Sequence, residues 1–156
     1  MTIANSVSEA IIAIANSIAA LEVSGVRILD LDQMPDALYE RDCPILIPEP
    51  VNYVTDFSIT RDSTGADSWA RKTAIYTLNY TFCYMPVGSA RSELSRYDDF
   101  IRKTFAIIDQ VLLNSTITGL VDIEPVGLIE FGPVPDPAGN LFLGCRLQFK
   151  CMHFVN

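Results

Sequence analysis

The stretch TAIYTLNYTFCY, residues 73–84, restricts what this chain can fold into more than any other. No glycine or proline interrupts residues 68–85, and from Thr73 onward Ala74, Tyr76, Leu78, Tyr80, Phe82 and Tyr84 recur at every second position. That periodicity belongs to a strand with one buried face. Extended from Trp69 to Tyr84, it would run roughly 53 Å at ~3.3 Å per residue. A compact chain of this length has a radius of gyration of about 15 Å and so a diameter of about 40 Å. The strand is expected to bend sharply, or to carry its first half beyond the body to something that receives it.

Its partner is the segment YVTDFSITRD, which places Tyr53, Thr55, Phe57 and Ile59 on one side; STGADS reads as the turn between them. The pair forms a long projecting hairpin over about residues 55–80. Its base is aromatic, and the half near the turn carries Arg61, Asp62, Asp67, Arg71 and Lys72.

The rest of the chain reads as helix, strands, helix, strands. Val7, Ile11, Ile14, Ile18 and Leu21 form one helical stripe, with Ser6 as N-cap and Gly25 as stop. VRILDL is a short strand. Pro35, Pro44, Pro48 and Pro50 then remove ladder donors, so at most ILI pairs there, at an edge. A second helix follows, capped by Ser89 or Ser92, with Leu94, Tyr97, Ile101, Phe105, Ile108 and Leu112 as its buried stripe. VDIEPVGLIEF is a strand bulged at Pro125 and Gly127, PVPDPAGN a turn, and LFLGCRLQFKCMHF a closing strand. Leu141, Leu143, Cys145, Leu147, Phe149 and Cys151 face inward along that strand. The expected fold is α+β: one domain over residues 1–156, a mostly antiparallel sheet, and both helices packed on one face.

Chemistry-bearing constellations are sparse. The single histidine, His153, has no nucleophile context such as GxSxG and reads as an exposed or satisfied side chain. Asp30, Asp32 and Asp36 lack the glycine and closing glutamate of a calcium loop. Asp98 and Asp99, as helix neighbours, point in different directions. Cys145 and Cys151 lie about 20 Å apart on one strand, too far to bridge. Cys43, Cys83, Cys145 and Cys151 are expected to be reduced, cytosolic thiols, because no CxxC pair and no secretory signal is seen. No catalytic, cofactor or metal residue is assigned. The N-terminal IIAIANSIAAL is too interrupted by polar residues for a membrane span. The net charge of −8 opposes binding of nucleic acid through phosphate neutralisation.

In order, size and texture, nearly the whole chain resembles the tail terminator (tail-to-head joining) proteins of long-tailed bacteriophages. The pieces that carry the resemblance are the N-terminal helix, VRILDLDQMPDALYERDCPILIPEP, the hairpin ending in YTLNYTFCYMPVG, SRYDDFIRKTFAIIDQVL, and FGPVPDPAGNLFLGCRLQFKCMHF. The resemblance implies a non-enzymatic virion protein of the tail or neck, present in host cytoplasm during assembly. Such a protein forms a hexameric ring, caps the tail tube, and offers its other face to a head completion or connector protein. DNA passes through the ring without specific binding, and a lumen lined with carboxylates would repel it. Subunit number comes from the resemblance alone. On this reading the outer hairpin is partner surface. Arg61, Asp62, Asp67, Trp69, Arg71 and Lys72 form it, with Trp69 as anchor, because buried tryptophan and arginine dominate interface energetics. A neck or head-closure component is the sibling alternative. From a different class, a small intracellular enzyme or ligand-binding domain would use the helix-covered sheet to enclose a pocket.

Overall fold

The computed structural model describes residues 3–61, 72–88, 90–114 and 121–155. Helix α1 spans Ile3–Ala19, followed by strands β1 (Arg27–Ile28), β2 (Ile45–Pro48), β3 (Val54–Arg61) and β4 (Lys72–Pro86). Helix α2 (Ala90–Leu113) leads to β5 (Val121–Pro125), β6 (Phe131–Pro135) and β7 (Leu141–Val155). Among the described residues, seven strands form one sheet in which only β1 and β2 run parallel. The fold is α+β, with a mostly antiparallel mixed sheet.

Two strands of 15 residues, β4 and β7, form its spine. They pair antiparallel from Lys72 opposite Val155 to Pro86 opposite Phe142. On the far side of β4, β3 and β2 follow one another along its length; on the far side of β7, β5 and β6 do the same. The long strand is therefore held within the sheet. A projecting hairpin is not confirmed: over the described part β7 is as long as β4 and accompanies it throughout. The hairpin's turn residues, 62–71, lie outside the described residues.

The alternation of β4 holds in full: Ala74, Tyr76, Leu78, Tyr80, Phe82 and Tyr84 are all buried. Both helices cover that face, since Val7, Ala10, Ile14 and Ile18 of α1 and Phe100, Ile107, Ile108 and Val111 of α2 join one core with it. The opposite face is buried too, as Thr77, Asn79, Thr81 and Cys83 show. A second cluster explains part of this. Leu29, Met34, Leu38 and Cys43, from the proline-rich connection, pack over Ile45, Ile47, Cys83 and Phe142. That connection is a lid on the sheet rather than a passive loop.

Other elements depart from expectation for definable reasons. Ser6 lies inside α1, which starts at Ile3, and Gly25 does not end the helix. With φ 74°, Gly25 makes the tight turn in which Val26 N donates to Val23 O at 3.0 Å. ILI does pair as part of β2, but β1 covers its outer side, so β2 is not the edge. In β3 a register shift between Thr55 and Ser58, with Asp56 at φ 54°, breaks the alternation and leaves Phe57 and Ile59 exposed. VDIEPVGLIEF is not one bulged strand. It ends as β5 at Pro125, and FGPVP forms β6, an edge that tolerates Pro133 and Pro135 because its only ladder is with β7. Leu141 is exposed, whereas Leu143, Cys145, Leu147, Phe149 and Cys151 face inward as expected.

Helix α2 is rotated relative to its expected stripe. Phe100, Thr104, Ile107 and Val111 point inward, each one residue before the expected position, while Leu94, Ile101, Phe105 and Leu112 are exposed. Phe100 sets the rotation through its ring contacts with Phe82, Tyr84, Tyr97 and Phe131 at centroid distances of 5.2–5.9 Å. Thr104 takes a core position because its hydroxyl donates to Phe100 O at 2.9 Å, which removes the cost of burying it.

Candidate functional site: interaction surfaces

The hairpin is the natural starting point. Of the six residues expected to form partner surface, Arg61 and Lys72 end β3 and β4 and stand directly opposite one another. Asp62, Asp67, Trp69 and Arg71 lie outside the described residues.

The outer side of β3 carries no strand among the described residues. Its eight residues contain no proline, and Val54, Phe57 and Ile59 are exposed along it. Among the described residues, the other free edges are shorter or carry proline: β1 has two residues, β5 ends in Pro125, and β6 holds Pro133 and Pro135. Beneath β3, Phe57 stacks on the buried ring of Tyr76 at 5.8 Å, and the Tyr53 and Tyr80 hydroxyls hydrogen-bond at 2.7 Å. The exposed row therefore rests on a rigid base.

Asn79 fixes where that row begins. It lies where β4 changes partner from β3 to β2, and its backbone N–H donates to Tyr53 O at 2.8 Å while Glu49 N donates to its carbonyl at 2.9 Å. Its buried side-chain amide donates to Asn52 O at 3.0 Å and Thr55 Oγ1 at 2.8 Å, and accepts from Gln148 Nε2 at 2.8 Å.

A second feature is an open groove of about 390 Å³ between α2 and the connection, bordered by Glu40, Cys43, Tyr84, Arg96, Asp99 and Lys103. Tyr84 donates to Asp99 Oδ2 at 2.6 Å, and Lys103 Nζ bonds Asp99 Oδ1 at 2.9 Å. The tyrosine bond first, and then the lysine, lower the Asp99 carboxyl below its ordinary value. Burial, followed by the Asp99 bond, raises the Tyr84 phenol. Two acidic and two basic residues border the groove, which presents no excess of either sign.

The thiols are free of disulfides. Burial pushes Cys83 and Cys151 up to about 12 and Cys145 to about 11; burial, then Asp42 and Glu40, puts Cys43 at about 11. At neutral pH these thiols are protonated and weakly nucleophilic. Among the described residues, no group of three or more His, Cys, Asp and Glu converges as metal ligands. His153 is not exposed: it is buried on the helix-covered face, its Nδ1 has no partner among the described residues, and burial lowers its pKa. No helix among the described residues is long and apolar enough to cross a membrane. Compared with family models and with curated proteins, the chain matches none.

Proposed function

We propose that this chain is a structural subunit of a bacteriophage virion, a tail terminator that closes the tail tube as a hexameric ring and joins it to the head. The observation that carries the reading is the outer side of β3. Among the described residues it is the longest free edge and holds no proline; it is interrupted by the bulge between Thr55 and Ser58, exposes Val54, Phe57 and Ile59, and stands beside three edges that are shorter or carry proline. A ring is closed by heterologous contacts, in which one surface of each subunit meets a different surface of the next. An open edge that leads into a charged hairpin end suits that geometry. The net charge of −8 supplies acidic surface on a neighbouring copy to oppose Arg61 and Lys72. The proposed partner surface runs from Arg61 through Asp62, Asp67, Trp69 and Arg71 to Lys72, with Trp69 as anchor.

The test is to add purified protein to polymerising tail tube protein from the same phage. Tubes that stop growing, with one ring at a single end, are expected. Unchanged tube length would overturn the reading, and a ring that binds DNA-filled heads but never tubes would assign a head-closure component instead.

A further inference from the structure

Five large hydrophobic side chains stand outward on α2; Leu113, 76% exposed, stands apart as its last residue, and the other four form one row: Leu94 is 71% exposed, Ile101 36%, Phe105 48% and Leu112 41%. At ~100° per residue they fall within about 40° of one another, roughly a quarter turn from the buried stripe. They form a straight apolar line of about 27 Å at 1.5 Å per residue. Their spacing is seven, four, seven. The line therefore reads the same from either end, with its centre at position 103.

That symmetry identifies the occupant. We infer that the outer line of α2 is the contact by which two copies of this chain pair across a two-fold axis, their α2 helices antiparallel. In that arrangement Leu94 of one copy meets Leu112 of the other, and Ile101 meets Phe105, so each hydrophobic residue opposes a hydrophobic residue at both ends. A surface that meets its own copy must be self-complementary in this way. Antiparallel packing also sets each helix N-terminus beside the other's C-terminus, which favours the two macrodipoles.

Charge and area agree. α2 holds four basic and four acidic residues, so the whole net charge of −8 lies elsewhere, and two copies meet here on an element with no net charge. The four side chains expose roughly 400 Å², the size of the largest apolar patch on a typical monomer, which is often functional, and about half of what one partner contributes to a stable interface. The pairing is independent of the ring. Combined with a ring of six it gives a double ring of twelve, and without the ring it gives a dimer.

The test is the molar mass in solution by light scattering for wild type, Phe105→Glu, Ile101→Lys and Leu94→Glu, with circular dichroism and thermal melts as folding controls. Each variant is expected to halve the wild-type mass and to weaken association at least tenfold. Mixing Phe105→Glu with Ile101→Lys restores the full mass, because the carboxylate introduced at position 105 of one copy then faces the ammonium introduced at position 101 of the other. Mixing Phe105→Glu with Phe105→Lys does not, because position 105 never meets its own counterpart. Two becoming one supports the pairing without the ring, and twelve becoming six supports both. A mass of six that none of the variants changes overturns the pairing and leaves the ring intact. A wild type that stays monomeric at all concentrations, or rescue by the second mixture rather than the first, also overturns the pairing.

Discussion

Replacing Asn79 tests the junction on which the exposed row of β3 depends. In Asn79→Ala, Asn52 O and Gln148 Nε2 lose their partners at a part-buried site, whereas Tyr53 O keeps the bond from the residue 79 backbone. A buried polar group without a partner costs about 1–3 kcal/mol, so the loss should total about 3 kcal/mol. For a domain of this size that lowers Tm by about 6–12 °C. Asn79→Asp keeps the shape, but it turns an oxygen toward the carbonyls of Asn52 and Tyr53, which the native amide approaches as a donor at 3.0 and 3.3 Å. At pH 7 this variant should be less stable than the alanine variant despite the smaller change in volume. Burial raises the pKa of the new carboxyl, so the penalty is present above that raised value and relieved as pH falls and the acid protonates. Urea unfolding of the three proteins at pH 7 and pH 4 measures both effects. An alanine variant within about 0.5 kcal/mol of wild type, the range of an ordinary surface change, or an aspartate variant as stable as wild type at pH 7, would refute this role for Asn79.

Three further outcomes are expected. Asp136 is buried and accepts bonds from Leu38 N, Ala138 N and Asn140 N at 2.7–3.0 Å; burial alone would raise its pKa, but these donors hold it below the ordinary value. Asp136→Asn should cost about 2 kcal/mol near neutrality. Because the depressed carboxyl contributes fully above its unfolded pKa of about 3.9 and loses that contribution as pH falls toward its lower folded value, the difference from wild type should shrink below about pH 3.9, as acid unfolding will show. Gly144→Ala places a Cβ onto the carbonyl of Phe82 and against Val134, where β4 and β7 approach closely. It should lose about 3 kcal/mol by overpacking, measured by thermal melts. The Tyr76 hydroxyl is buried and has no partner among the described residues, whereas that of Tyr80 bonds Tyr53. Tyr76→Phe should be neutral or stabilising, while Tyr80→Phe should cost about 1–2 kcal/mol, and denaturant titration of the pair decides it.

The inward face of β4 is legible because strand periodicity is local, and each of its six residues is buried where the pattern puts it. Its second face is hidden. Nothing near Asn79 or Cys83 announces that Leu29, Met34 and Leu38 pack over the sheet from a connection broken by prolines. A projecting hairpin is expected when length is judged for one strand at a time, and the structure does not confirm it. The closing run, from Leu141 to Val155, is equally long and is the available signal that both strands lie together. On α2 an apolar count finds the outer line instead of the buried one, since the two stripes share Tyr97 and Ile108 and the buried one contains Thr104, whose fitness for the core depends on its bond to Phe100 O. β6 reads as a turn because two prolines exclude a central strand but not an edge. Of the partner surface, only the opposition of Arg61 and Lys72 falls on described residues.

Electron microscopy of the purified, unmodified protein tests the ring most directly. Class averages viewed down the particle axis are expected to show six-fold rotational symmetry around a central opening, whether single rings or stacked pairs are seen from the side. Particles no larger than one 17.2 kDa chain or a pair of chains, with no rotational symmetry at any concentration, would contradict it.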